Sequence, residues 1–131
     1  MKVYLIRHGK TAGNQEARYV GSTDESILEE ERTRLAGIHY PEVDAVYASP
    51  RKRCLETMEL LYPNHTPVIV NDLAECDFGA FEYKNYKELS GDPDYQAWID
   101  SGGTIGFPGG ESREQFQNRT QRAFWRILLD A

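Results

Sequence analysis

Val3-Tyr4-Leu5-Ile6-Arg7-His8-Gly9-Lys10 begins as four consecutive apolar strand formers and then changes abruptly to a cation, an imidazole and a glycine. A short continuous apolar run of this kind predicts a parallel strand covered on both faces. Its sudden end predicts that Arg7 and His8 stand at the carboxyl edge of a sheet, where open α/β folds bind their ligands. Lys10, Thr11, Gly13 and Asn14 follow within six residues, so cations, a hydroxyl, glycines and a side-chain amide are crowded into one stretch. Those are the parts of an anion site.

The pattern repeats further along. Residues 27–36 carry strong helix formers with Ile27, Leu28 and Leu35 on one side, predicting a helix. Val43 to Ala48 predicts a second buried strand. Ser49-Pro50 follows at once, pairing a favoured N-cap residue with proline at the first helical position, and Cys54, Met58 and Leu61 recur at helical spacing. A helix over 50–62 is expected. Val68-Ile69-Val70 is a third strand, residues 72–83 a polar loop, and the glycines at 102–103 and 109–110 mark another. Ser112 with Gln115 has the form of a capping box, and Phe116, Ala123, Phe124 and Ile127 keep helical period after it. Strand, helix, strand, helix, strand in this order predicts an α/β fold: an open, mostly parallel sheet flanked by helices, built as one domain over residues 1–131.

Composition narrows the function. The chain has 131 residues, 40% of them apolar, and a formal net charge of −6. That charge argues against a broad basic surface for nucleic acid, while a local cationic pocket for a small anion remains open. The apolar start is too short for a signal peptide and no run could span a bilayer, so a cytoplasmic protein with no membrane partner is expected. Cys54 and Cys76 have neither metal-ligand spacing nor disulfide density, and are expected to be free thiols.

Chemistry-bearing residues follow all three strands. Arg7, His8 and Asn14 come after the first. Arg51, Lys52 and Arg53 come after the second, in the first turn of a helix whose free N–H groups already favour an anion. Glu75, Asp77 and Glu82 come after the third, where a proton donor for a leaving group would sit. A nucleophile, a clamp and an acid are therefore predicted to converge at one sheet edge.

These stretches resemble a known family. Leu5-Ile6-Arg7-His8-Gly9-Lys10-Thr11 with Asn14 is similar to the Arg-His-Gly signature of the histidine phosphatase superfamily, also called phosphoglycerate mutase-like. Ala48 to Thr57 resembles its Ser-Pro-x-x-Arg-Ala-x-x-Thr segment, and Leu73 to Glu82 its Glu-x-x-x-Gly-x-Trp-Glu segment. Pro108-Gly109-Gly110-Glu111-Ser112 is similar to a loop of the bacterial phosphatase branch, which includes alpha-ribazole phosphatases. The resemblance implies a phosphomonoesterase in which His8 takes the phosphoryl group of a small-molecule phosphate ester and passes it to water. It implies Arg7 and Arg53 as phosphate ligands, with Arg53 preferred over Arg51, Asn14 and Gly21 as further substrate-binding positions, and Glu75 as general acid. No cofactor or metal is expected, because the arginines supply the charge neutralisation.

The sequence also departs from the family pattern. Val20 stands where many relatives place a polar residue before the glycine, and Phe81 and Tyr83 replace the usual Trp and Gly near the acid. The family's second histidine, in a His-Gly-Gly setting after a further strand, has no counterpart: the remaining histidines are His39 and His65, both ahead of Glu75. The chain reads as a family member incomplete at its C-terminal end. A phosphoglycerate mutase and a catalytically weak phosphate-binding module stand as alternatives, and a homodimer covering exposed apolar surface is a further expectation.

Overall fold

A computed structural model describes residues 1–131. Its core sheet has two parallel strands, β1 (Tyr47–Ala48) and β2 (Val68–Ile69), paired Tyr47 to Val68 and Ala48 to Ile69. The crossover between them is α3 (Lys52–Leu61), and α2 (Glu29–Ala36) packs on α3. A one-turn α1 (Ala12–Gln15) follows His8, while α4 (Tyr86–Leu89) and α5 (Pro93–Asp100) fill the region between the acidic loop and the long α6 (Arg113–Asp130). This is the α/β architecture expected, with each strand short.

The first strand is a correction. Residues 3–6 form no ladder, and Val3, Tyr4, Leu5 and Ile6 are 49, 44, 84 and 38% exposed. Apolar side chains make a strand only when a neighbour supplies backbone partners and a covering layer, and neither reaches this segment. The second strand is likewise confined to Tyr47–Ala48 rather than starting at Val43.

The start of α3 is the second correction. Arg51, not Ser49, occupies the N-cap and makes no side-chain cap bond. Asp24 Oδ1 accepts the Lys52 N–H at 2.7 Å instead, so a loop distant in sequence supplies the carboxylate that a helix start favours. At α6 the local reading holds: Ser112 Oγ accepts the Gln115 N–H at 3.1 Å and the Gln115 side chain accepts the Ser112 N–H at 3.0 Å.

Two packing centres result. One joins Val20, Ile27, Leu35, Ala48 and Met58, all buried, around α2, α3 and β1. The other is aromatic, and its rings come largely from segments that read as loops. Phe78 and Phe107 lie 5.1 Å apart, Trp98 and Phe107 5.1 Å, Tyr19 and Phe78 5.1 Å, and Phe81 and Tyr95 5.6 Å. Phe78–Phe107 and Phe81–Tyr95 meet edge to face while Trp98–Phe107 stack, and such aromatic pairs add roughly 0.5–1.5 kcal/mol each beyond their buried area. They hold the 78–107 region against the segment carrying Tyr19 and Val20.

Candidate functional site

His8 is half-buried just ahead of α1. Its Nδ1 lies 2.6 Å from the carbonyl oxygen of Gly9, which fixes the ring and assigns the Nδ1 hydrogen as donor, leaving Nε2 with its lone pair. Burial lowers the imidazole pKa. The Gly9 bond and the Glu75 carboxylate oppose that shift, while the positive charges of Arg53 and Arg7 add to it. Arg7, Arg53 and Glu75 thus all act electrostatically on His8.

The segment is anchored by a residue that the sequence reading quoted but gave no role. Thr57 Oγ1 accepts the Gly9 N–H at 2.9 Å and donates to the Arg53 carbonyl at 2.7 Å. Thr57 and Arg53 are four residues apart on α3, so one helical turn carries both groups on one face. That spacing was the available signal.

Arg53 is 1% exposed. Its Nη1 donates to the Thr23 carbonyl at 2.8 Å, and Nη2 to those of Gly21 at 3.0 Å and Val20 at 3.3 Å, while the buried Nε has no protein partner. A buried guanidinium with a spare donor beside an imidazole is a half-built anion site. Of the neighbouring cations, Lys52 is exposed and Arg51 half-buried, so the three do not share one environment. Arg7 is exposed.

Asn14 and Gly21 enter through their backbone neighbours. Asn14 Oδ1 accepts the Thr11 N–H at 3.0 Å and its N–H is accepted by Thr11 Oγ1 at 3.2 Å, closing a capping box over α1. The Asn14 Nδ2 hydrogens remain for another acceptor. Gly21 donates its N–H to both oxygens of Glu82, at 3.0 and 3.2 Å, and a Cβ there would collide with the Cys76 carbonyl. Glycine is required by that close approach.

Glu82 is a second residue whose role the sequence reading missed. Its carboxylate takes N–H bonds from Gly21, Ser22 and Thr23 and the Thr23 hydroxyl at 2.6 Å, gathering the loop whose carbonyls hold Arg53. Burial pushes its pKa up, but these hydrogen bonds together outweigh burial and hold it below the ordinary carboxylate value. Tyr83, beside it, has φ +59°, the left-handed region that favours the glycine relatives carry there, and its hydroxyl donates to Glu25 at 2.7 Å.

Glu75 is exposed, and its Oε1 accepts the N–H of Cys76 at 2.7 Å. Cys54 and Cys76 are unpaired, as expected. Burial pushes the Cys76 thiol up to about 11, leaving it protonated and unreactive at neutral pH.

The chain is similar to several known phosphatases and to a phosphoglycerate mutase. The chain is 32% identical over 133 residues to an acid phosphatase of Mycobacterium tuberculosis, covering 93% of this chain and 61% of that one. It is 27% identical to an adenosylcobalamin/alpha-ribazole phosphatase of Escherichia coli, covering 97% of this chain and 66% of the relative. Among solved structures, the alpha-ribazole phosphatase from Shigella flexneri shares the fold with a TM-score of 0.82 at 24% identity, over 93% of this chain and 64% of that one. A phosphoglycerate mutase from Thermus thermophilus superposes with a TM-score of 0.75 at 31% identity, over 90% and 67% respectively. The chain therefore spans just under two thirds of the length of the first two relatives. The family model for the histidine phosphatase superfamily (branch 1) matches residues 3–130, and the chain belongs to that superfamily.

Proposed function

We propose that the protein is a phosphomonoesterase that moves a phosphoryl group from a small-molecule phosphate ester to His8 and then to water. The observation that carries this reading is the state of His8: a ring fixed through Nδ1 to the Gly9 carbonyl, with its pKa lowered, in the field of Arg7 and Arg53. A neutral imidazole with Nε2 free is a nucleophile at neutral pH.

In the first step Nε2 forms a bond to phosphorus as the ester P–O bond breaks. Arg7 and Arg53 bind the non-bridging oxygens, where the transition state spreads its negative charge. The Asn14 amide adds a neutral donor, and Gly21 lines the pocket while its carbonyl braces Arg53. Glu75 gives its proton to the leaving alkoxide. In the second step Glu75 takes a proton from water, the water oxygen bonds to phosphorus, and the P–N bond breaks to release inorganic phosphate. Alpha-ribazole phosphate is the finer substrate reading, supported by the name of a relative at 27% identity. The mutase neighbour at 31% identity supports a second reading, in which the phosphohistidine returns its group to a sugar acid.

The test is phosphoryl trapping. Radiolabelled phosphomonoester should leave acid-labile label on the wild-type protein and none on His8→Ala. Equal labelling of both would sink the proposal.

A further inference from the structure

The loop bearing Glu75 is held by two residues that the proposed reaction does not use. Arg119, on α6, spends all five of its guanidinium hydrogens. Nη1 donates to the carbonyls of Asp72 at 2.8 Å and Ala74 at 2.9 Å, and Nη2 donates to the Glu75 carbonyl at 3.3 Å and to Glu111 Oε1 at 2.8 Å. Nε completes the set on Glu111 Oε2 at 2.9 Å. Glu111 is bound at a second place: its Oε1 also accepts the Asp77 N–H at 2.9 Å, and its own N–H donates to the Asp77 carbonyl at 2.9 Å. The backbone is thus gripped at 72, 74 and 75 by the cation and at 77 by the anion. Glu75 lies inside the grip.

The surroundings leave this clamp little room to shift. A Cβ on Gly110 would strike the Asp77 carbonyl, and one on Gly79 the Pro108 carbonyl, so the 108–111 loop lies directly on the acid loop. The pair is only about one-fifth exposed on each side, 19% for Arg119 and 20% for Glu111, and the guanidinium also lies 5.3 Å from the Phe116 ring centroid. The hydrogen bond to Arg119 holds the Glu111 carboxyl below its ordinary pKa, so the pair stays ionised through neutral pH. A two-point, planar pairing of this kind fixes direction as well as distance, which a lysine cannot reproduce.

We infer that Arg119 and Glu111 are positioning residues for proton transfer by Glu75, setting the acid loop at its distance from His8. The inference rests on the reading of Glu75 as the proton donor. Arg119's donors are all taken by the acid loop and Glu111, so loss of the pair should reach the chemistry only through the leaving-group proton. Positioning errors of about 1 Å cost on the order of 100-fold in rate.

The experiment measures the first phosphoryl transfer by rapid quench in the full-length protein, with β-glycerol phosphate, whose alkoxide needs a proton, and p-nitrophenyl phosphate, whose phenolate does not. Arg119→Lys and the milder Glu111→Gln are compared with Glu75→Gln. Both clamp variants should slow transfer from the alkyl ester by about tenfold or more, part of what a general acid supplies, and leave transfer from the aryl ester within about twofold. KM for both esters should stay near wild type, and Glu111→Gln, which keeps an acceptor for the Asp77 N–H, should lose less than Arg119→Lys. Should Arg119→Lys fail to fold, Glu111→Gln alone must show the alkyl-specific loss. Equal losses on the two esters, or none on either, in clamp variants while Glu75→Gln still separates them would overturn the inference and leave the role of Glu75 standing. Failure of Glu75→Gln itself to separate the esters would overturn both.

Discussion

Thr57 Oγ1 and the backbone N–H of Gly9 meet at 2.9 Å, joining the segment that carries His8 to the helix that carries Arg53. The two residues are 48 positions apart, and the bond is buried. His8 and Arg53, the proposed nucleophile and phosphate ligand, are therefore held in one frame by a single hydroxyl, which also bonds the Arg53 carbonyl.

Replacing that hydroxyl by a methyl group of the same shape leaves the Gly9 N–H buried without an acceptor. Thr57→Val is expected to destabilise the protein by about 1–3 kcal/mol, the usual cost of orphaning a buried donor. Thr57→Ser, which keeps the oxygen, should recover most of that loss and most of the rate of phosphoryl transfer to His8. Urea unfolding and rapid-quench labelling of the two variants check this, and a Thr57→Val protein as stable and fast as wild type would contradict it.

The acid limb of kcat/KM should follow His8. Because burial and the charges of Arg53 and Arg7 lower its pKa from 6.5, the neutral nucleophile persists to lower pH than in an ordinary histidine, and the midpoint should fall below 6.5. Arg7→Gln removes one of the depressing charges, so its limb should move toward higher pH. A pH–rate series on p-nitrophenyl phosphate reads the shift directly; a midpoint above 6.5 for wild type would reject this view of the site.

Acid stability should depend on Glu82. Its folded pKa lies below the ordinary value of 4.5, because hydrogen bonds from four donors of the 21–23 loop outweigh the opposing effect of burial. The stabilisation is therefore complete above pH 4.5 and is lost as pH falls through the lower folded pKa. Glu82→Gln cannot lose a charge in that window, so its urea midpoint should vary less between pH 6 and pH 3 than that of wild type. Parallel curves for the two proteins would refute this assignment.

The exposed apolar run should show in solution. Leu5 is 84% exposed, and Val68 and Ile69 of β2 are 53 and 52% exposed on a two-stranded sheet with open edges. Unpaired edges with apolar side chains invite pairing with another copy. Sedimentation velocity of the 131-residue chain is expected to show self-association that Ile69→Lys reduces. A concentration-independent monomer would count against it.

Much of this protein was legible along the chain, for a physical reason common to each case. The α6 capping box needs only Ser112 and Gln115, three residues apart, and α2 and α3 need only local propensity and apolar period, so short sequence windows contain the interactions that form them. Family membership was likewise legible, because the three motifs are short windows of fixed spacing, and the superfamily model matches residues 3–130. Tertiary structure decided what depends on distant partners. Residues 3–6 have strand composition yet no ladder, since a strand exists only through its neighbours. The carboxylate at the start of α3 came from Asp24, 28 residues away from Lys52, and not from the favourable Ser49. Arg119 carried no local sign at all: its carbonyl partners lie 44 to 47 residues earlier, and a guanidinium on a charged helix face reads as solvated until folding brings those carbonyls to it.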